Sequence, residues 1–190
     1  AERIFKPLRM VDTGFSLPKE KLNRFPVNYR WGLDGKREIA EATATSTYLE
    51  KKPFLSGGGG LVGSTTDYLN FCQMILNDGD FDGKRLLSPK SVQLMRSNHI
   101  RDHVVPESGV PLGDGNGFGL GFLVNLDVPD TRQLGSPGTI GWLGVASTFY
   151  FIDPKEELIG LIMTQKLPTD IRILMDFKVA VYQSLIEISD

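Results

Sequence analysis

The sequence predicts an α+β fold: a loop-rich helical region over residues 1–116, then an antiparallel sheet with a packed C-terminal helix over residues 117–190. Three observations carry this. Residues 11–56 are polar and broken by Gly14, Pro18, Pro26, Gly32, Gly35 and Pro53, which favours long loops with short turns of helix over regular structure. Ser64 and Ser88 each stand before a stretch of helical apolar spacing, as N-cap residues do. Beyond Phe118 the apolar residues run in strand-like blocks, and a helical stripe returns only at the end.

Taken in order, AERIFKPL reads as the last turn of an amphipathic helix, with Ile4 and Phe5 apolar and Pro7 ending it. No helical start precedes it, so the expectation is a chain that begins in mid-helix. SGGGG at 56–60 leads into a helix with Ser64 as N-cap, Asp67 at the capping-box position, and Leu69, Cys72, Ile75 and Leu76 as its apolar residues. Asp78-Gly79 should stop it. Ser88 opens a second helix, with Pro89 in its first position and Val92, Leu94 and Met95 following to about Asn98. Residues 100–116 read as another loop.

Strands are expected at FGLGFLV from Phe118, VASTFYFI from Val145 and ELIGLIMTQ from Glu157, the last two joined by a turn at Asp153-Pro154. Their apolar content is too continuous for one solvated face, so both faces should be covered. Phe149, Tyr150 and Phe151 read as sheet core. From Thr169 to Glu187, Ile173, Leu174, Phe177, Val181 and Leu185 form a stripe that should lie on this sheet. Three or four strands make a thin sheet, and an uncovered strand edge invites association.

With 190 residues, 41% of them hydrophobic and 23% charged, the chain has the profile of a folded globular domain. A formal net charge of −2 with no run of five like charges leaves no footprint for nucleic acid or an anionic membrane. LIGLIM from Leu158 is too short to span a bilayer. Small-molecule substrates are therefore expected, and no cofactor. The single cysteine, Cys72, lies on the first helix among apolar neighbours and reads as a buried structural thiol, which leaves the compartment open.

Several short patterns could carry chemistry. Gly141-Trp142-Leu143-Gly144 allows two readings: glycines that bend the backbone into a strand with Trp142 as core, or a strand edge kept bare so that a ligand can reach its backbone. Gly57–Gly60 has no lysine at the P-loop position and reads as a flexible loop. His99 and His103 stand four apart near Asp102 and Glu107, yet no third-ligand cluster is evident, so surface histidines and no metal are expected. Gly135-Ser136-Pro137-Gly138 lacks the first glycine of a nucleophile elbow. Asp153-Pro154 and Glu156-Glu157 read as turn and solvated charges.

The order ERIFKPLRMVDTGF, GGGGLVGSTTDYLNFCQMILNDG, LLSPKSVQLM, GFGLGF and GSPGTIGWLGVASTFYFIDPKEELIGLIMTQ resembles the second half of the serine β-lactamase-like hydrolases. These include class C β-lactamases, penicillin-binding DD-peptidases and related esterases, and the likeness covers nearly the whole chain. Such enzymes use a nucleophile in S-x-x-K, a tyrosine in Y-x-N or Y-x-S, and a third motif on a facing strand, K-T-G or, in esterase-like members, H-x-G or W-x-G. Trp142-Leu143-Gly144 matches the third. The resemblance implies that the Val145 backbone N–H is an oxyanion donor, that Gly144 stays small so the substrate carbonyl can approach, and that Trp142 and Leu143 contact substrate.

Ser16-Leu17-Pro18-Lys19 and Tyr68-Leu69-Asn70 spell the first two motifs, but with 12 serines and 11 lysines about one S-x-x-K arises by chance. Ser16 lies in a polar, proline-broken segment, whereas an activated nucleophile needs its lysine one helical turn away in a dry site. Both stretches also follow the family's true motifs in order. Ser16 therefore reads as a loop or N-cap serine and Tyr68 as helix packing. The expectation is the C-terminal portion of a single β-lactamase-like domain, with the nucleophile-bearing N-terminal segment absent. Its function would be part of a serine hydrolase acting through an acyl-enzyme on ester, amide or β-lactam substrates, esterase-like because its third motif begins with Trp142. By itself it should be inactive and should associate with the missing segment or a second copy. The alternative is a non-catalytic binding module that keeps the fold.

Overall fold

The computed structural model describes residues 1–100 and 112–189. Residues 2–9 form consecutive turns instead of a regular helix: Leu8 N–H reaches Ile4 O at 3.1 Å, whereas Met10 N–H reaches back to Phe5 O at 2.8 Å. Pro7 has no N–H to continue a helical ladder. The turns nevertheless bury Leu8 and Met10 in the main core.

Between residues 11 and 56 lie the expected short 3₁₀ turns, Lys19–Arg24, Thr43–Thr45 and Thr47–Leu49. The segment also contains a hairpin that the loop reading missed, β1 (Asn28–Trp31) and β2 (Arg37–Glu41). Gly35 (φ +74°) closes its turn. Asp34-Gly35 is a hairpin signal, but the flanking strands are half-exposed and carry little apolar alternation.

Helix α1 (Thr65–Leu76) starts where expected, with Ser64 Oγ accepting the Asp67 N–H at 3.2 Å. The Asp67 carboxylate has a longer reach than a capping box requires: it accepts from Asp12 N–H at 2.8 Å and Thr13 Oγ1 at 2.7 Å, tying the N-terminal loop to the helix start. A short hairpin follows, β3 (Asp80–Phe81) and β4 (Lys84–Arg85), and then α2 (Pro89–Met95), capped by Ser88.

The strand expected from Phe118 is in fact two, β5 (Asn116–Phe118) and β6 (Leu123–Asn125), because Gly121 at φ +93° turns the chain. A single helical turn, α3 (Val128–Thr131), leads on to β7 (Ile140–Leu143), β8 (Phe149–Asp153) and β9 (Leu158–Ile162). The strand expected to begin at Val145 therefore begins at Phe149. Its first four residues are a turn, and GWL belongs to a strand of its own, β7. Gly144 N–H bonds Thr148 O at 2.8 Å and closes that turn. Finally β10 (Lys166–Leu167) and α4 (Ile171–Tyr182) complete the described elements.

The main sheet is five-stranded and antiparallel in the order β5-β6-β7-β8-β9, more than the three or four strands expected. A second sheet, β10-β1-β2, has β1 parallel to β10, so the loop-rich first part and the sheet-forming second part are interleaved. Both faces of the main sheet are covered, as the continuous apolar runs predict. Val124, Ile140, Tyr150 and Ile152 pack with Cys72, Met74, Ile75 and Val92 of α1 and α2. On the opposite face Phe151 stacks on Tyr182 of α4 at 5.2 Å and lies 6.4 Å from Phe177. Gly160 makes room for that ring, since a Cβ there would sit 2.2 Å from it.

Asp153 is not the solvated turn residue expected. It is fully buried, and its carboxylate accepts from Ser136 N–H and Thr139 Oγ1, both at 3.0 Å, from Tyr182 Oη at 2.7 Å, and from the N–H groups of Lys155 and Glu156. Those partners come from three separate stretches of chain, so no local pattern announces the burial.

Candidate active site

The site grows from the end of β7. Trp142 pairs with Tyr150 and Leu143 with Phe149 across the β7–β8 ladder, so the strand sends these two neighbours to opposite faces. Trp142 packs partly on the α1-side core and meets Phe118 edge to face at 5.2 Å. Phe118 is held in turn: its N–H donates to Asn98 Oδ1 at 3.1 Å and its carbonyl accepts the His99 N–H at 2.8 Å. Leu143 lies on the α4 side and is 38% exposed.

Gly144 starts the turn. Its carbonyl accepts from Ser147 N–H at 3.1 Å and Thr169 Oγ1 at 3.0 Å. A Cβ here would lie 2.3 Å from Thr148 Oγ1, so the turn itself wants a residue without a side chain, whatever a substrate requires. Val145 is 69% exposed, and its N–H has no acceptor among the described residues. Ser147 is fully buried at φ +55°, in the left-handed region that favours glycine. Its Oγ donates to Lys166 O at 3.0 Å and accepts the Asp170 N–H at 2.8 Å, which holds the turn against the start of α4.

The other candidates lie elsewhere. Ser16 and Lys19 are exposed, in a loop and at the start of a 3₁₀ turn. Tyr68 is packed against Tyr150 at 5.0 Å and Phe71 at 5.8 Å, and burial pushes its phenol above the usual range, opposite to what a general base needs. Cys72 is fully buried and its thiol is pushed up to about 12 by burial. His99 Nε2 lies 2.8 Å from Leu94 O, at the end of α2. His103, Asp102 and Glu107 fall outside the described residues. Among the described residues no three His, Cys, Asp or Glu side chains converge as metal ligands, and no helix is long and apolar enough to cross a membrane.

Residues 1–182 match the family described as Beta-lactamase. The chain belongs to the β-lactamase family. An uncharacterized protein of Mycobacterium tuberculosis is 37% identical over 172 residues, which cover 88% of this chain and 42% of that protein. Among solved structures, simvastatin synthase (LovD) from Aspergillus terreus is similar, with a TM-score of 0.78 at 22% identity, over 98% of this chain and 50% of that one. EstCE1, a hydrolase with promiscuous acyltransferase activity, has a TM-score of 0.76 at 24% identity, over 95% of this chain and 49% of its own. The chain thus spans about half the length of the relatives it matches. Membership of the family follows from the family match, and the fold from the structural neighbours together with the topology.

Trp142, Leu143, Gly144 and Val145, which the sequence reading singles out, lie at the end of β7 and in the turn after it. That reading passes over Phe118, Ser147, Thr148 and Thr169, which hold them. No motif marks those residues: Thr148 acts within the turn, and Phe118, Thr169 and the Ser147 hydroxyl act through contacts between separate stretches of chain.

Proposed function

We propose that this chain carries the oxyanion-side strand of a serine hydrolase that works through an acyl-enzyme on neutral, apolar esters. The observation that carries the reading is the N–H of the exposed Val145, just beyond Trp142-Leu143-Gly144 at the end of β7, which has no acceptor among the described residues. In this scheme a serine hydroxyl attacks the ester carbonyl and gives its proton to a base, and the carbonyl oxygen takes up the negative charge. Val145 N–H donates to that oxyanion as it forms, which is worth about 3 kcal/mol of barrier where such donors have been removed from hydrolases. The alcohol then leaves, and water releases the acyl group. Serine and base are assigned to sequence outside these 190 residues, in keeping with the half-length match to relatives.

The ester preference rests on Trp142. A lysine in that position of the family motif offers a cation to a substrate carboxylate, whereas Trp142 offers a flat apolar face and one indole N–H. Phe118, edge-on to it, extends the apolar wall. The isolated chain is expected to be hydrolytically silent and to associate through the outer edge of β9, with the remainder of the enzyme or with a second copy.

The test is labelling of the complete protein with a serine-directed fluorophosphonate, followed by hydrolysis of neutral p-nitrophenyl esters and of a carboxylate-bearing β-lactam. Labelling with ester turnover is the expected result. Efficient β-lactam turnover would overturn the ester preference. Absence of labelling would leave the second reading, a binding module that keeps the fold.

A further inference from the structure

We infer that Thr169 is a positioning residue that aims the Val145 N–H; the inference rests on the donor role proposed for Val145. A trans peptide is planar, with its C=O and N–H pointing in opposite directions. The Gly144 carbonyl and the Val145 N–H belong to one such unit. Whatever holds the first therefore sets the direction of the second.

Two groups hold the Gly144 carbonyl. Ser147 N–H, at 3.1 Å, is a local bond of the turn itself. Thr169 Oγ1, at 3.0 Å, comes from 25 residues further on, in the connection between β10 and α4. A turn bond alone leaves the peptide free to tilt about its own axis, and a second donor from a separate element removes that freedom. The hydroxyl also polarises the peptide, because a bond accepted at C=O strengthens the bond donated by N–H in the same unit.

The rest of the turn is held in the same way. Thr164 Oγ1 donates to Ala146 O at 2.7 Å and lies 3.1 Å from Ser147 O. Ser147 Oγ locks to Lys166 O and Asp170 N–H, so Thr169 stands within a stretch already fixed to the turn on both of its sides. Threonine hydroxyls from either side of β10 thus reach the carbonyls of Gly144 and Ala146, with Ser147 O also within range of Thr164, while the Val145 N–H has no acceptor among the described residues. A donor on a peptide whose carbonyl is held twice suits a group that must wait in position for charge to arrive.

The experiment compares wild type, Thr169→Val and Thr169→Ser in the complete protein. Valine keeps the shape and removes the hydroxyl, and serine restores it. With p-nitrophenyl butyrate, T169V is expected to lower kcat about tenfold with KM unchanged, because a misaimed donor is felt only in the transition state. T169S should retain kcat within about twofold of wild type on the same reasoning. In a ¹⁵N-valine-labelled sample the Val145 amide resonance should move in T169V and return in T169S. Unchanged kcat in T169V, a change confined to KM, or equal losses in both variants would overturn the inference. If the wild type hydrolyses no ester, the acyl-enzyme reading fails on its own. The amide resonance still decides the positioning, and an unmoved Val145 signal in T169V sinks it.

Discussion

The two ends of the β7–β8 strand pair are built on opposite rules. At the Asp153 end polar groups converge on one buried carboxylate, which takes the Ser136 and Thr139 donors that precede β7 and the Tyr182 hydroxyl of α4, although the buried Asn125 side-chain amide nearby has no hydrogen-bond partner among the described residues. At the Gly144–Thr148 end the carbonyls of Gly144 and Ala146 are bound by side-chain hydroxyls, yet the N–H of the exposed Val145 has no acceptor among the described residues. A carboxylate bound from several sides in a dry site yields rigidity and no chemistry. A donor without an acceptor among the described residues, on a clamped turn, offers a place where charge can develop. Both ends share one ladder, so the closed end supplies the fixed frame against which the open end can be aimed.

The largest effect is expected from breaking the closed end. Asp153→Ala strands the donors of Ser136, Thr139 and Tyr182 in a buried site, and on the usual cost of leaving such groups unpaired it should destabilise the protein by about 3–5 kcal/mol. Urea unfolding of the complete protein measures this. A loss below about 1 kcal/mol, the scale of an exposed ion pair, would mean that the network does not hold the two strands to α4.

Breaking the open end should leave stability nearly untouched and remove activity. Val145→Pro deletes the N–H at an exposed turn position where it has no partner among the described residues, so the expected signature is a fall in kcat of about 10²–10³ with the urea midpoint little changed. The contrast between the two variants is the sharpest form of the comparison. If both lose stability alike, the two ends differ in exposure alone.

How far each end was legible in the sequence follows from where its partners lie. Helix starts were readable because capping is local: Ser64 and Ser88 act on N–H groups three residues away. Coverage of the sheet on both faces was readable from the unbroken apolar text of β8 and β9. Strand β7 was not, because Gly141 and Gly144 interrupt its pattern, and neither was the turn after it, because Val145 and Thr148 are good strand residues and Ser147 is a poor marker for φ +55°. Asp153 looked like a turn aspartate, and its Lys155 and Glu156 N–H contacts are those of one. Its burial depends on Ser136, Thr139 and Tyr182, which only the fold brings near. The open end was named through a family resemblance to Trp142-Leu143-Gly144, whereas Thr164 and Thr169, which no motif singles out, had to be found in the structure.

The closed end also has a pH signature. Burial, and then the hydrogen bond to Asp153, raise the Tyr182 phenol above its ordinary range, so the stability it contributes is present below about pH 10 and is lost as pH rises beyond it. Lys178, buried on the same helix, is shifted the other way: burial lowers it, so the folded state is penalised while the amine is charged and gains as pH rises through its lowered value. Thermal melts from pH 8 to pH 11 should therefore rise before they fall. Tyr182→Phe should flatten the alkaline fall, leaving the part that the raised Tyr68 and Tyr150 phenols contribute. An alkaline limb identical in wild type and Y182F would place the sensitivity away from the Asp153 network.

The smallest expected effect concerns the wall beside the open end. Phe118 touches Trp142 edge to face, a contact worth about 0.5–1.5 kcal/mol beyond simple burial. Phe118→Leu keeps the apolar character but frees the indole to turn. The loss should fall on discrimination, because a mobile wall still excludes water yet no longer matches one acyl shape. The ratio of kcat/KM for p-nitrophenyl octanoate over p-nitrophenyl acetate should drop about three- to tenfold, the range that contact energy allows, with acetate turnover itself unchanged. A proportional loss on both esters would instead place Phe118 with Thr169, among the residues that aim the donor; an unchanged ratio would remove the Phe118–Trp142 corner from the substrate path.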